Sequence, residues 1–109
     1  MDPRKLIVSL PVENEPHAEY RRILQKEICD VSQVSIHPGK MVPEHVHDDA
    51  EQVYLVSSGS GIVILDGEEF EIQQGMAVII PRGSRHSTQN TGEEPLIYTY
   101  VEAFYQCDD

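Results

Sequence analysis

Basic side chains are scarce in this 109-residue chain, with 8 Lys and Arg set against 19 Asp and Glu for a formal charge of −11. Such a surface repels phosphate backbones, which excludes nucleic acid as an expected partner. Cysteine is nearly absent. Cys29 and Cys107 stand far apart in no CxxC pair, so neither a disulfide framework nor cysteine-held zinc is expected. No apolar run approaches the roughly 18 residues of a membrane span. The opening stretch MDPRKLIVSLPVENEP has neither the long apolar core nor the cleavage site of a signal peptide, and a soluble cytoplasmic protein is the expectation. There is no Ser-His-Asp order, phosphate-cradling glycine loop or dinucleotide fingerprint, so nucleophilic hydrolysis, phosphoryl transfer and nicotinamide chemistry have no support. Internal repeats, low-complexity tracts and linkers are also missing. The length bounds the chain to one domain, which at this mass can bury roughly two-thirds of its unfolded surface.

What is present is regular punctuation by glycine and proline: Pro38-Gly39, Pro43, Gly59, Gly61, Gly67, Gly75, Pro81, Gly83, Gly92 and Pro95. The runs between them, VSQVSI, QVYLVS, GIVIL, EFEI, AVII and LIYTYV, are short and rich in β-branched and aromatic residues. Turn signals every 8–12 residues suggest an all-β sandwich or barrel (~8–12 residues is the usual spacing). In IVIL-DG-EEFEI, Asp66-Gly67 supplies the two positive-φ residues of a type I′ hairpin turn. The segment 16–30 fits both a helical and an alternating pattern, and we read it as a strand. We expect residues 1–30 to form an N-terminal strand or arm of the same domain, 31–105 the barrel and 106–109 a loose tail.

Three of the five histidines carry the chemical signal. His45 and His47 are two residues apart, so on a strand their rings share one face, with Cα atoms about 6.8 Å apart. Two imidazoles at that separation can converge on one ion at about 2.0–2.1 Å per bond. His86 follows the turn Pro81-Arg82-Gly83-Ser84-Arg85 and could reach the same ion if its strand faced theirs across a barrel. His17 and His37 have no partner at metal spacing and read as surface or turn residues. A HisxHis pair alone is often two solvated histidines, but here the surroundings are ordered too. Gly39, His45, His47 and Gly59 form one spaced segment, and Gly75, Pro81, Gly83, His86 and Asn90 form a second. At typical residue frequencies the five positions of the second match by chance with probability about 3 × 10⁻⁷ per starting point.

In these two segments the chain resembles the cupin superfamily, in its small single-domain form. The likeness covers about Val31 to Val101, and it implies a double-stranded β-helix (jelly-roll) barrel holding one divalent metal ion. The family's glutamate slot, separated by six residues from Gly59, is occupied by Gln52, with Glu51 beside it. Adjacent strand residues face opposite ways, so only one of the two can face inward with the histidines. The spacing favours Gln52; a bulge would reverse this and make Glu51 the alternative. The implied ligand set is His45, His47, Gln52 and His86, able to hold Zn, Mn, Fe, Ni or Co, and sequence does not rank these. Three neutral imidazoles and a carboxamide would leave a divalent ion its full +2 charge, whereas Glu51 would reduce the site to +1.

The resemblance implies a metal-dependent enzyme on a small organic molecule, of dioxygenase, isomerase, decarboxylase or polyketide cyclase type. The alternative is a non-catalytic small-ligand-binding or sensor protein, since a fold does not define an activity. Glu51 and Tyr54 are the catalytic candidates. Tyr54 shares the face of Gln52, Tyr98 and Tyr100 are weaker candidates for the pocket wall, and Met41, Val56, Ile64 and Met76 are candidates for apolar lining. Arg82 and Arg85 read as solvated turn residues, while Asn90 secures the Asn90-Thr91-Gly92 turn. A small-molecule ligand, anionic if the ion keeps its full charge, and a homodimer built through Lys5 to Leu10 complete the expectation.

Overall fold

The structure, a computed structural model, describes residues 12–104. The expectations for Lys5 to Leu10, for Cys107 and for the tail at 106–109 lie outside the described residues. Ten strands follow one another: β1 (Val12–Asn14), β2 (Ala18–Gln25), β3 (Cys29–Ile36), β4 (Met41–Val46), β5 (Ala50–Ser58), β6 (Ser60–Leu65), β7 (Glu68–Gln73), β8 (Ala77–Ile80), β9 (Arg85–Gln89) and β10 (Leu96–Phe104). They form two antiparallel sheets with the orders β1-β2-β3-β10-β5-β8 and β4-β9-β6-β7. No helix among the described residues is long and apolar enough to cross a membrane.

Alternation decides which side chains fill the space between the sheets. On β5, Ala50, Gln52, Tyr54 and Val56 are buried while Leu55 and Ser57 are exposed. On β3 the inward set is Ser32, Val34 and Ile36, and on β10 it includes Leu96, Tyr98 and Glu102. The opposite sheet contributes Val42, Val63, Ile72 and Thr88. The segment at 16–30 is indeed largely strand: β2 pairs with β3, and Ala18 is fully buried in the core.

The turns place the strands that carry the histidines. Asp66 and Gly67 both have positive φ (49° and 84°) and join β6 to β7, as the Asp-Gly pair predicts. The Asp66 carboxylate accepts from the Arg85 amide (2.8 Å) and the Asp66 amide donates to the Arg85 carbonyl (2.7 Å). The hairpin tip thus anchors the start of β9, one residue before His86. Gly59 (φ 85°) turns β5 into β6 so close to Pro95 that a Cβ would lie 2.5 Å from its carbonyl oxygen, so only glycine fits. Asn90 is buried and uses its whole amide on backbone. Its Nδ2 donates to the carbonyls of Ile36 (2.9 Å) and Glu94 (2.8 Å), and its Oδ1 accepts from Gly92 N–H (2.9 Å).

Candidate metal centre

His45 and His86 are direct cross-strand partners on β4 and β9, with ring centroids 4.0 Å apart. The expectation that His86 reaches the pair from across the barrel is therefore corrected: it stands beside His45 in the same sheet. A register shift between Val42 and His45 makes this possible. Pro43 and Glu44 form the irregularity, and proline, with no N–H to contribute, suits a break in the ladder. His47 lies just past β4, and its carbonyl accepts from Gly83 N–H (2.8 Å), fixing it to the turn before β9. Potential donor atoms of His45, His47 and His86 all lie within 4.8 Å of one another.

Each ring is oriented by its Nδ1. That atom lies 2.8 Å from the Pro43 carbonyl in His45, 3.1 Å from the Ser84 carbonyl in His86 and 3.1 Å from Glu102 Oε1 in His47. A carbonyl or carboxylate oxygen has no proton to give, so Nδ1 is the donor, and in the neutral ring Nε2 keeps its lone pair. Three Nε2 atoms are thereby left as donors. His86 Nε2 is buried with no hydrogen-bond partner, and so is Gln52 Oε1. An orphaned buried acceptor costs about 1–3 kcal/mol. Both are lone-pair donors of the kind that a bound cation would satisfy.

The sequence candidates separate cleanly by face. Gln52 is 5 % exposed and lines the same cavity as His45, His47 and Tyr54, whereas Glu51 lies on the opposite face of β5 with Val53 and Val101. Arg85 is exposed and paired with Glu44 at 3.3 Å. The cavity, about 500 Å³, is walled by Tyr20, Tyr54, Tyr98 and Tyr100, with Val34, Val42 and Arg22. Met41, Val56, Ile64 and Met76 do not line it. His17, read from sequence as a surface residue, does line it and meets the Tyr20 hydroxyl at 2.7 Å.

Glu102 is the residue that sequence reasoning missed. It is 7 % exposed, sits opposite Gln52 in the β10–β5 register, contacts His47 and accepts a hydrogen bond from the Gln52 amide. No spacing rule connects positions 47 and 102. Only the alternation of LIYTYVE, which places Glu102 on the face of Tyr98 and Tyr100, was available as a signal. Its presence corrects the electrostatic expectation of an uncompensated ion, because one carboxylate stands against the histidine cluster. Burial pushes the Glu102 carboxyl above its ordinary range, with His47 opposing.

Burial pulls His86 down to about 4, with His45 and His47 acting the same way and the Ser84 hydrogen bond opposing. Between the unfolded value near 6.5 and that folded value, the unfolded chain binds a proton that the native protein does not. Stability of the metal-free protein therefore falls with falling pH through this window, by up to ~1.4 kcal/mol per pH unit from this group. Urea unfolding at about pH 7 and about pH 5 checks this. His86→Asn is expected to show a shallower pH dependence than wild type, and equal slopes would refute the assignment.

The described residues thus form a jelly-roll barrel that carries a histidine trio able to hold a metal ion. The family model for the cupin domain matches residues 32–102, and the chain belongs to the cupin family. It is similar to the tetracenomycin polyketide synthase protein TcmJ of Streptomyces glaucescens, 32 % identical over 62 residues covering 57 % of this chain and 42 % of that protein. It is also similar to the dimethylsulfoniopropionate lyase DddW of Ruegeria pomeroyi, 41 % identical over 63 residues, 58 % of this chain and 40 % of that one. These matches span less than half the length of either relative. Among solved structures, the cupin domain of Schizosaccharomyces pombe Cnp3 superposes with a TM-score of 0.82 at 18 % identity, covering 89 % of this chain and 70 % of that one, a likeness of fold.

Proposed function

We propose that the protein is a metal-dependent enzyme acting on a small oxygen-bearing organic molecule, within the dioxygenase, isomerase, decarboxylase or cyclase range. One observation carries this reading: three histidines with Nδ1 committed and Nε2 free stand beside a tyrosine-walled cavity of about 500 Å³. His45, His47 and His86, with Gln52 Oε1, would hold the ion, and a bound divalent ion would supply Lewis acidity toward a carbonyl, enol or carboxylate oxygen. Tyr54 and Tyr98 orient the organic part. Burial holds both phenols far above their ordinary range, so they donate hydrogen bonds rather than take protons. Arg22 is the one guanidinium among the lining residues, set beside the carboxylates of Glu13, Glu15, Glu44 and Glu102. The names of the two curated relatives, a polyketide synthase protein and a lyase, support small-molecule chemistry.

A second reading, ligand binding without turnover, is favoured by the state of the cavity's buried groups. The phenols are protonated, and Glu102 is engaged by both His47 and Gln52. The two readings part on one experiment. Protein loaded separately with Fe(II), Mn(II) and Ni(II) is incubated with a panel of enols, flavonols and keto-sugars, following oxygen uptake and product formation. Turnover lost in His45→Ala is the expected result. Thermal shifts with no product in any metal form would replace the enzyme by the binding protein.

A further inference from the structure

We propose that Glu102 is the positioning residue of this centre, a single carboxylate that orients two of its four donors at once. The inference rests on the metal reading above and deepens it. Glu102 approaches from β10, on the sheet opposite His45 and His86, and its Oε1 accepts from the Nδ1–H of His47 at 3.1 Å. It also accepts from the carboxamide of Gln52, its cross-strand partner. Both contacts have the same consequence. Holding the His47 Nδ1 proton leaves Nε2 as the donor, and holding the Gln52 NH₂ group leaves Oε1, buried and unpartnered, as the other.

Glu102 is not itself a member of the donor set, because the group within mutual ligand distance comprises the three histidines without it. Its charge still counts. With neutral imidazoles and a carboxamide around a divalent ion, Glu102 lowers the net charge of the assembly from +2 to +1 from one layer out. The carboxylate missing at position 52 is thus supplied by the residue paired with it across the strands.

The hydrogen-bond directions make the claim testable by a swap. In Glu102→Gln the new side chain has one acceptor and one donor group. If its carbonyl keeps His47, its NH₂ faces Gln52, which must then flip and turn its own NH₂ toward the histidines, where it cannot ligate. In Gln52→Glu/Glu102→Gln every group is matched again: Gln at 102 accepts from His47 and donates to Glu at 52.

Titration calorimetry with Co(II), the visible spectrum of the Co(II) forms and long-range ¹H–¹⁵N NMR of the metal-free proteins give the readouts. Glu102→Gln is expected to bind Co(II) about 10- to 100-fold more weakly, as loss of an outer partner typically does. The double swap is expected to restore affinity and a wild-type-like spectrum, which a merely structural role for Glu102 does not predict. In metal-free wild type, His47 is expected as the Nδ1–H tautomer, with Nε2–H gaining in Glu102→Ala. Unchanged Co(II) affinity in Glu102→Gln, or a swap no better than that single variant, overturns the proposal. Failure of the metal reading looks different. Wild type and His45→Ala would then bind Co(II) equally poorly, and the His47 tautomer would decide alone whether Glu102 orients that ring.

Discussion

His86→Ala is expected to abolish specific metal binding while leaving the barrel folded. The ring is 1 % exposed, stands against His45 across the β4–β9 ladder, and holds a buried Nε2 with no protein partner. Removing it takes away one of three imidazole donors, so the loss of affinity should exceed the roughly 100-fold that an outer partner costs. Stability follows a different account. The cavity left by the ring is unfavourable, but deleting a desolvated nitrogen that nothing satisfies is favourable, and the two offset each other in part. Calorimetry and melting curves with and without Co(II) should show this separation. Wild type is expected to gain stability with added metal, because an ion that binds only the native state shifts the folding equilibrium. The variant is expected to melt near the metal-free wild type at every metal concentration. A metal-induced rise in melting temperature of equal size in the two proteins would remove the histidine trio as the binding site.

Tyr98→Ala is expected to bring the largest loss of stability, about 3–5 kcal/mol by analogy with other aromatic truncations in cores. Tyr98 is 2 % exposed at the middle of the six-stranded sheet, paired with Val34 on one side and Val56 on the other. Its ring stacks on Tyr54 with centroids 4.4 Å apart and an interplanar angle of 24°. The alanine variant loses the buried area and the stack together. For a domain of this size the melting temperature should fall by at least ~12 °C. Tyr98→Phe retains the stack and should cost no more than about 1.5 kcal/mol. Chemical denaturation of the three proteins checks the ordering, and a loss under 1.5 kcal/mol in Tyr98→Ala would mean that the core does not depend on this stack.

The parts of the molecule legible in sequence are those set by short-range geometry. The Asp66-Gly67 turn, the inward face of Gln52 as counted back from Gly59, and the backbone bonding of Asn90 all depend on residues within a few positions of one another. Gln52 and Glu51 could be separated because a strand has only two faces. What was not legible depends on strand order. His45 and His86 are neighbours because β4 lies next to β9, and the bulge at Pro43-Glu44 that aligns them has no signature distinguishing it from an ordinary proline in a strand. Glu102 and His17 reach the cavity only because β10 lies between β3 and β5, and β2 next to β3. A spacing argument confined to one segment contains no information about either pairing.

The donors and their supports are divided between the two sheets, with His45 and His86 on one and Gln52 and Glu102 on the other. The chain crosses between them through His47, at the end where apolar packing gives way to the cavity. An ion held here would act as a rivet through the seam, fastening the open end of the barrel while the apolar core fastens the closed end.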